Sequence, residues 1–295
     1  MKAAPFDYIR AASIDDACRA LADGDGEARV IAGGQTLVPL MAMRMARPSL
    51  LVDINGIEAL RSIAVDGDRL VVGAAVRQTD ALVSTIVRGR FPLLAEALSH
   101  VGHDQTRNRG TIGGSIANAD PAAEMPLIAL LADAEMVARS VRGERIIPAE
   151  DFFESAMTTA LAPDELLTEI RYPLWPVETT GYGFHEVSIR DSDFALAAAA
   201  ALVLLDRNGL CMRIHVAIGG ASPAPMRLEP VEDSLRDTRL EDDQIELATA
   251  GIAALVEPQG DVHADAAYRR RVVRVMAGRA IVTARNWART KKDDV

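Results

Sequence analysis

Several features are scarce in this chain, and their scarcity limits what it can do. It contains two cysteines, Cys18 and Cys211, which are far apart in sequence. Two thiolates cannot supply the four ligands of an iron–sulfur cluster, and they do not indicate a disulfide framework. No apolar run approaches the length of a membrane span, and residues 1–8 contain no signal-peptide core. These absences predict a cytoplasmic protein without a membrane span.

The chain also lacks the excess of basic residues that nucleic-acid binding requires. Its 42 acidic residues outnumber its 32 basic residues, which gives a formal net charge of −10. Proteins that bind nucleic acids normally present a positive field to the phosphates, so the composition predicts no nucleic-acid partner. An acidic protein that binds a phosphate must instead hold it with local backbone donors.

Common catalytic and nucleotide-binding motifs are missing as well. A Rossmann unit needs G-x-G-x-x-G between a strand and a helix, and the Gly-Asp-Gly at residues 24–26 lacks the third glycine. No serine lies in a G-x-S-x-G elbow. His100 and His103 are close in sequence, but no further cysteine or histidine nearby completes a zinc set. The sequence therefore predicts no metal ligand, and we nominate no side chain as a general acid or base.

What the chain does contain is two glycine pairs, each after an apolar strand signal and each followed by Thr or Ser. The first lies in Ala-Gly-Gly-Gln-Thr at residues 32–36, and the second in Arg-Gly-Thr-Ile-Gly-Gly-Ser at residues 109–115. Paired glycines allow positive φ and close approach to a ligand, with N–H groups pointing outward. We interpret both as turns that grip the two phosphates of a dinucleotide. A third pair at residues 219–220 runs into prolines and is interpreted as structural.

The remaining pattern predicts alternating strands and helices. Strands are predicted at residues 6–10, 29–32, 50–54, 63–65, 70–72, 136–140, 144–147, 166–172, 194–205 and 211–218. Helices are predicted at residues 14–22, 79–87, 91–99, 122–132, 241–255 and 264–289, and after the first glycine pair with Leu37, Leu40, Met41 and Met45 on one face. Five alanines at residues 197–201 favour helix by propensity, but the turn at 206–209 and its matching strand favour a hairpin. Residues 173–176 are predicted to connect two domains, and residues 291–295 to form a loose tail.

Around the glycine pairs the sequence resembles a known family. Residues 31–37 and 105–124, together with 165–167 and 190–195, are similar to the medium, FAD-binding subunit of the molybdenum hydroxylases. This group contains carbon monoxide dehydrogenase, xanthine dehydrogenase and bacterial N-heterocycle hydroxylases. The resemblance covers nearly the whole chain and implies an α+β fold. It implies a two-lobed FAD domain of the vanillyl-alcohol-oxidase (PCMH) type at residues 1–176, with lobes of about 1–56 and 57–176. A smaller C-terminal domain of antiparallel sheet and helices is implied at residues 177–290.

The resemblance also implies which residues contact FAD. In such subunits the two double-glycine loops bind the pyrophosphate, and the acidic residue that ends the second motif lies near the ribose or the pyrophosphate. The implied cofactor-binding residues are Ala32, Gly33, Gly34, Gln35, Thr36, Leu37, Val101, Asn108, Gly110, Thr111, Ile112, Gly113, Gly114, Ser115, Ala119, Glu124, Leu166 and His185.

Two positions depart from the family pattern. Ser115 stands where relatives often carry asparagine, which shortens a side chain that can still form hydrogen bonds. Many relatives carry a lysine at or beside the positions of His185 and Glu186, so a positive charge is lost or inverted here. A cation near the flavin would stabilise its reduced, anionic form. We therefore do not assume NAD as the electron acceptor.

The function implied is an FAD-binding electron-transfer subunit of a heterotrimeric molybdenum hydroxylase. Substrate is oxidised at a molybdopterin centre on a large partner subunit, and [2Fe-2S] clusters on a small partner subunit pass electrons to this FAD and then to an external acceptor. Pairing into a dimer of heterotrimers stays open. So do two alternatives: a self-sufficient FAD-dependent oxidase or dehydrogenase with its own small-molecule substrate, and a cofactor-free assembly protein.

Overall fold

Three β-sheets organise the chain, with three, five and four strands, and a two-stranded ribbon accompanies them. The structure is a computed structural model that describes residues 2–293, with side chains described through residue 291. Its sheets and helices give the predicted α+β class. None of the helices within residues 2–293 is long and apolar enough to cross a bilayer.

The first sheet is parallel and is formed by the first 53 residues, with strand order β1-β3-β2. Its elements are β1 (Asp7–Arg10), α1 (Ile14–Asp23), β2 (Ala28–Ile31), α2 (Leu37–Ala42) and β3 (Leu50–Asp53). The loop at residues 32–36 therefore leaves the carboxyl end of β2, the edge at which α/β sheets commonly bind ligands.

Helix α2 is shorter than predicted. It ends at Ala42, and Arg44 adopts a left-handed conformation with φ of 61°. The N–H of Met45 then bonds back to the carbonyl of Leu40 at 2.9 Å, as at many helix ends. Met45 is 73 % exposed. The prediction that Met45 lies on one helical face with Leu37, Leu40 and Met41 was wrong, because the helix ends before reaching it.

The second sheet is antiparallel with order β4-β5-β10-β6-β7. After a short 3₁₀ turn at Glu58–Arg61, its strands and helices supply the largest core cluster. The elements are β4 (Ile63–Asp66), β5 (Arg69–Gly73), α3 (Gln78–Val83), α4 (Thr85–Arg90), α5 (Pro92–His100), α6 (Asp104–Arg107), α7 (Ile112–Asn118), α8 (Glu124–Leu131), β6 (Glu135–Ser140), β7 (Gly143–Pro148), α9 (Ala149–Phe152), β8 (Phe153–Ser155), β9 (Thr158–Thr159) and β10 (Leu166–Pro173).

Two predictions in this region were wrong. The single helix at residues 79–87 is two helices, because Ser84 is extended and its hydroxyl accepts from the N–H of Val87 at 3.4 Å to cap α4. The second glycine pair does not form a turn. It lies in the first turn of α7, where the Thr111 hydroxyl accepts from the N–H of Gly114 at 3.0 Å as the N-cap.

The third sheet is antiparallel with strands in sequence order. Its elements are β11 (Thr180–Val187), β12 (Ala197–Leu205), β13 (Cys211–Gly219), β14 (Met226–Arg227), α10 (Glu229–Leu235), α11 (Asp242–Thr249), α12 (Ile252–Leu255) and α13 (Ala266–Asp293). The helix predicted at residues 241–255 is thus broken at Gly251. Residues 291–293 continue α13, so that part of the predicted tail is helical, while residues 294 and 295 lie outside the described residues.

The alanine-rich segment is a strand, as predicted, although it begins at Ala197 rather than at Phe194. Ala198 and Ala200 lie in the core cluster of the second sheet, whereas Ala199 and Ala201 lie in that of the third. Both faces of β12 are therefore buried between two layers. Small side chains let these layers approach, which outweighs the helical propensity of alanine.

Strand β11 was not predicted, because glycines weaken a strand pattern. They are required here by α13. A Cβ at Gly181 would lie 1.8 Å from the carbonyl oxygen of Ala284, and one at Gly183 would lie 2.2 Å from that of Ala280. The backbone of the long helix thus rests directly on the strand.

Candidate functional site

The first glycine loop joins β2 to α2 and turns through a positive φ. Gly34 has φ of 71°, a conformation that glycine adopts without steric cost. Its carbonyl accepts from the N–H of Val38 at 3.1 Å, and the Gln35 amide donates to the carbonyl of Gly33 at 3.3 Å. The carbonyls of the loop thus point inward toward the chain.

The N–H groups of the same loop are free. Among residues 2–293, those of Gly33, Gly34, Gln35, Thr36 and Leu37 have no hydrogen-bond partner. Backbone N–H groups are stabilised by hydrogen bonds to acceptors, and a row of unpaired N–H groups at the edge of a sheet forms an anion site. Two of these five residues are glycines, so a ligand can approach their N–H groups closely. The row of donors therefore fits a diphosphate.

The two glycine motifs touch each other. A Cβ at Gly33 would lie 2.4 Å from the carbonyl oxygen of Arg109 and 2.8 Å from the Cα of Gly110. Any larger residue would push the motifs apart. The structure therefore places the first glycine loop against residues 109 and 110 of the second motif.

Two residues that sequence analysis missed hold this junction. The Asn55 amide donates to the carbonyl of Ala32 at 2.8 Å. The Arg77 guanidinium donates to the side-chain oxygen Oδ1 of Asn55 at 2.7 Å and also to the backbone carbonyl of Arg109. Burial lowers the pKa of Arg77. Asn55 stands out in the sequence only as the end of a strand, so its role depends on contacts that local patterns do not show.

The N–H groups of residues 112–115 in the second motif are engaged, contrary to the prediction that both motifs leave such groups free. The N–H groups of Ile112 and Gly113 donate to the carbonyls of Val76 and Ala74, each at 3.0 Å. Those of Gly114 and Ser115 bond within the cap, to the side chain and carbonyl of Thr111. This motif is tied to the second sheet by its own backbone donors.

Its glycines serve close packing. A Cβ at Gly110 would lie 2.3 Å from Oε1 of Gln78, and one at Gly113 would lie 2.4 Å from the Cβ of Ala74. Gly114 is exposed, and a Cβ there would meet the side chain of Thr111 alone. Gly114 therefore offers a bare surface that a ligand can approach.

Three other predicted cofactor-binding residues lie near α7 in the sequence, and a fourth lies in β10. Val101 is half-buried and Asn108 exposed, on either side of α6, while Ala119 ends α7 with φ of 48°. Leu166 begins β10 and is buried in the core cluster of the first sheet.

Glu124 begins α8 and is buried, with a side chain in an apolar setting. Burial, with a smaller contribution from the negative charge of Glu186, raises its pKa to about 8. The carboxyl group is therefore protonated at neutral pH, and it is a hydrogen-bond donor there.

His185 lies on the opposite face of β11 from Glu186, because side chains alternate along a strand. His185 Nε2 is 2.8 Å from the Thr283 hydroxyl on α13. The Glu186 carboxylate is 3.3 Å from Nδ1 of His100, and its other oxygen is buried without a partner in the described chain. That carboxylate raises the pKa of His100 to about 10. His185 thus faces α13.

No group of three or more His, Cys, Asp or Glu side chains that could hold a metal occurs within residues 2–293. The two cysteines are free and buried. The site as built from the described residues offers a row of unpaired backbone donors that suits a diphosphate.

Comparison with known proteins agrees with this geometry. Residues 4–175 match the model of the FAD binding domain in molybdopterin dehydrogenase, and residues 182–284 match the carbon monoxide dehydrogenase flavoprotein C-terminal domain. The 6-hydroxypseudooxynicotine dehydrogenase complex subunit alpha of Paenarthrobacter nicotinovorans is 39 % identical over 100 % of this chain and 99 % of its own. The carbon monoxide dehydrogenase medium chain of Hydrogenophaga pseudoflava is 33 % identical over 96 % and 98 %.

Solved structures agree as well. Carbon monoxide dehydrogenase from Hydrogenophaga pseudoflava aligns with a TM-score of 0.94 at 34 % identity, over 98 % of this chain and 99 % of its own. Quinoline 2-oxidoreductase from Pseudomonas putida 86 aligns with a TM-score of 0.93 at 33 % identity, over 98 % and 99 %. The predicted resemblance and its fold are confirmed. The chain belongs to the family of FAD-binding medium subunits of the molybdenum hydroxylases, and it is an oxidoreductase subunit with FAD as its cofactor.

Proposed function

We propose that this chain is the electron-transfer subunit of a heterotrimeric molybdenum hydroxylase. It takes electrons from iron–sulfur clusters of a partner subunit and passes them from its FAD to an external acceptor. The observation that carries the proposal is the row of five unpartnered N–H donors at residues 33–37, pressed against the second glycine motif.

These donors hold the pyrophosphate of FAD. A hydrogen bond to a charged group contributes roughly 1.5–3 kcal/mol, so several of them retain a dinucleotide without a lysine. Gly114 supplies the bare surface on the other side, and the half-buried hydroxyl of Ser115 lies one residue further along α7. When bound, FAD supplies the redox chemistry, while the protein supplies position and electrostatics.

The partners are a large molybdopterin-binding subunit and a small subunit with [2Fe-2S] clusters. Two features support them. Cys18 and Cys211 are both buried and lie in different parts of the fold, so they cannot ligate a cluster. Relatives are named as the medium chain or alpha subunit of larger enzymes. The acceptor, the pairing of heterotrimers and the cytoplasmic location stay predictions.

We propose that Glu186, rather than His185, is the residue of β11 on the cofactor side. One of its carboxylate oxygens is buried without a partner among the described residues, and its charge contributes to the raised pKa of Glu124. Many relatives carry a lysine at or beside this position. In this chain the positive charge is instead that of His100, which is paired with Glu186. We infer that this arrangement sets the electrostatics around the flavin.

Absorption spectroscopy of the purified chain tests the function. We expect the purified chain to show flavin absorption bands. Under anaerobic conditions, candidate N-heterocyclic or aldehyde substrates should bleach these bands only after the molybdenum and iron–sulfur subunits are added. Bleaching by substrate with this chain alone would establish the self-sufficient oxidase instead. Absence of flavin after reconstitution with FAD would leave only the assembly protein.

A further inference from the structure

An open groove of about 710 Å³ lies among α11, α12 and α13, beside the end of β11. His185 reaches this groove, so it lies on the face of β11 away from Glu186. The apolar residues that line it are Ile245, Ala253, Val275 and Val282. Neither glycine motif contributes to its lining, and the cofactor site does not account for it.

The arginines of α13 fall into two groups. Arg269, Arg270, Arg285 and Arg289 donate hydrogen bonds to carbonyl or carboxylate oxygens of the chain. Within residues 2–293, Arg271, Arg274 and Arg279 donate none and form no ion pair, and all three line the groove. They span eight residues, or about 12 Å of helix. The groove is thus bordered by a stripe of guanidinium groups without hydrogen bonds, of which that of Arg271 lies 5.9 Å from the centre of the Tyr268 ring.

This stripe contrasts with the chain as a whole, whose formal net charge is −10. The carboxylates of the groove do not neutralise it. Asp242 is paired with Arg285 at 2.6 Å, and Glu246 has no ion pair among the described residues. A positive α13 wall therefore faces an α11 wall with one free carboxylate and apolar side chains between them.

The mixed lining decides between two kinds of anionic ligand. Glu246 repels a polyphosphate, and the apolar side chains offer it nothing. A polypeptide with spaced carboxylates and apolar residues matches both the arginines and the apolar lining, because guanidinium groups bind carboxylates through paired hydrogen bonds. An open groove also accepts an extended segment without a change in shape.

We propose that this groove docks an acidic, partly apolar segment of a partner subunit. The inference rests on the proposed function, since the partners are the subunits with molybdopterin and iron–sulfur clusters. Docking here leaves residues 33–37 free to hold FAD, because the groove and the glycine motifs are lined by different residues.

The test is made on the FAD-loaded chain and its molybdenum and iron–sulfur subunits. The double variant Arg271→Glu/Arg274→Glu is expected to raise the Kd for these subunits at least about tenfold at low ionic strength. The difference from the wild type should shrink as salt is added, because exposed charges are screened. Arg90→Glu/Arg207→Glu is the matched control, since both arginines are exposed and without hydrogen bonds in the described chain. The control should bind as the wild type does.

FAD content and Tm of each variant are measured in parallel, and Arg271→Gln/Arg274→Gln covers the case in which charge reversal disturbs folding. A smaller rise in Kd for this neutral variant, with FAD content unchanged, supports the proposal. Equal Kd for wild type and folded variants overturns it. So does self-association of the wild-type chain that the variant loses, or competition by ATP for the groove. If the wild type binds FAD but none of the partner subunits, the proposed function fails instead.

Discussion

The two glycine motifs are similar in sequence, but their backbone N–H groups have different hydrogen-bond partners in the structure. At residues 33–37 five backbone N–H groups are free, whereas at residues 112–115 all four are engaged by Val76, Ala74 and Thr111. Glycine in the first loop allows positive φ and exposes donors. Glycine in the second allows the start of α7 to press against β5 and Gln78.

The difference shows that a glycine pair is not by itself a phosphate site. Its meaning depends on where the neighbouring N–H groups find acceptors. We propose that the first motif holds the ligand, while the second supports it and offers Gly114 as a bare surface. Substitutions in the two motifs test whether the first binds the ligand and the second supports it.

The largest effect is expected from Gly33→Ala. Its Cβ would lie 2.4 Å from the Arg109 carbonyl oxygen, which forces the motifs apart. We expect FAD affinity to fall by roughly a hundredfold or more, which is about 2.7 kcal/mol. Fluorescence titration with FAD measures this. Gly89→Ala is the control, because nothing lies within 4 Å of its Cβ. Equal affinity in both variants would contradict the contact between the motifs.

Gly113→Ala should act on the fold first. Its Cβ would lie 2.4 Å from the Cβ of Ala74 and 2.6 Å from the Cα. Overpacking of this kind costs about 1–3 kcal/mol in the free energy of unfolding. Urea denaturation of the FAD-free chain checks this value. A variant that kept its stability and lost FAD would show that the second motif, too, binds through its backbone donors.

Glu124 extends the comparison, because the second motif leads into a buried acid and the first loop contains none. Burial raises its native pKa to about 8 from an ordinary value of 4.5, so the native state holds this proton more tightly than the unfolded state. Stability should therefore fall as pH rises from about 5 to 8, by at most about 1.4 kcal/mol per pH unit. In Glu124→Gln this dependence should be weaker. Thermal denaturation of the FAD-free proteins across this range compares them, and parallel curves would refute the assignment.

The smallest effect is expected from Thr111→Val. Loss of the hydroxyl removes the N-cap bond to Gly114, at a cost of about 1 kcal/mol. FAD affinity should change little, because the donors of the first loop are untouched. Calorimetry of the free and FAD-bound protein separates the two effects. A loss of affinity larger than the loss of stability would place the cap itself in the cofactor site.

Much of the fold could be predicted from local pattern. Strands such as β3 and the hairpins at β4–β5 and β12–β13 follow from apolar alternation and turn residues. What could not be predicted depends on distant partners. The glycines of β11 are required by the backbone of α13, about a hundred residues further along, and only the folded chain shows this.

The candidate site divides in the same way. Residues 32–37 and 110–115 could be found from their glycines and from the family resemblance. The roles of Asn55, Arg77 and Glu186 could not, because each acts through a neighbour that is remote in sequence. His185 was predicted one position away from the side chain that faces the interior. A shift of one residue on a strand exchanges its two faces.

A crystal structure of the chain with bound FAD would show directly which backbone N–H groups hold the pyrophosphate. We expect pyrophosphate oxygens within hydrogen-bond distance of N–H groups at residues 33–37. We also expect the hydrogen bonds from Ile112 to Val76 and from Gly113 to Ala74 to stay intact. A pyrophosphate held by the N–H groups of Ile112 and Gly113, with those bonds broken and the first loop unbound, would contradict it.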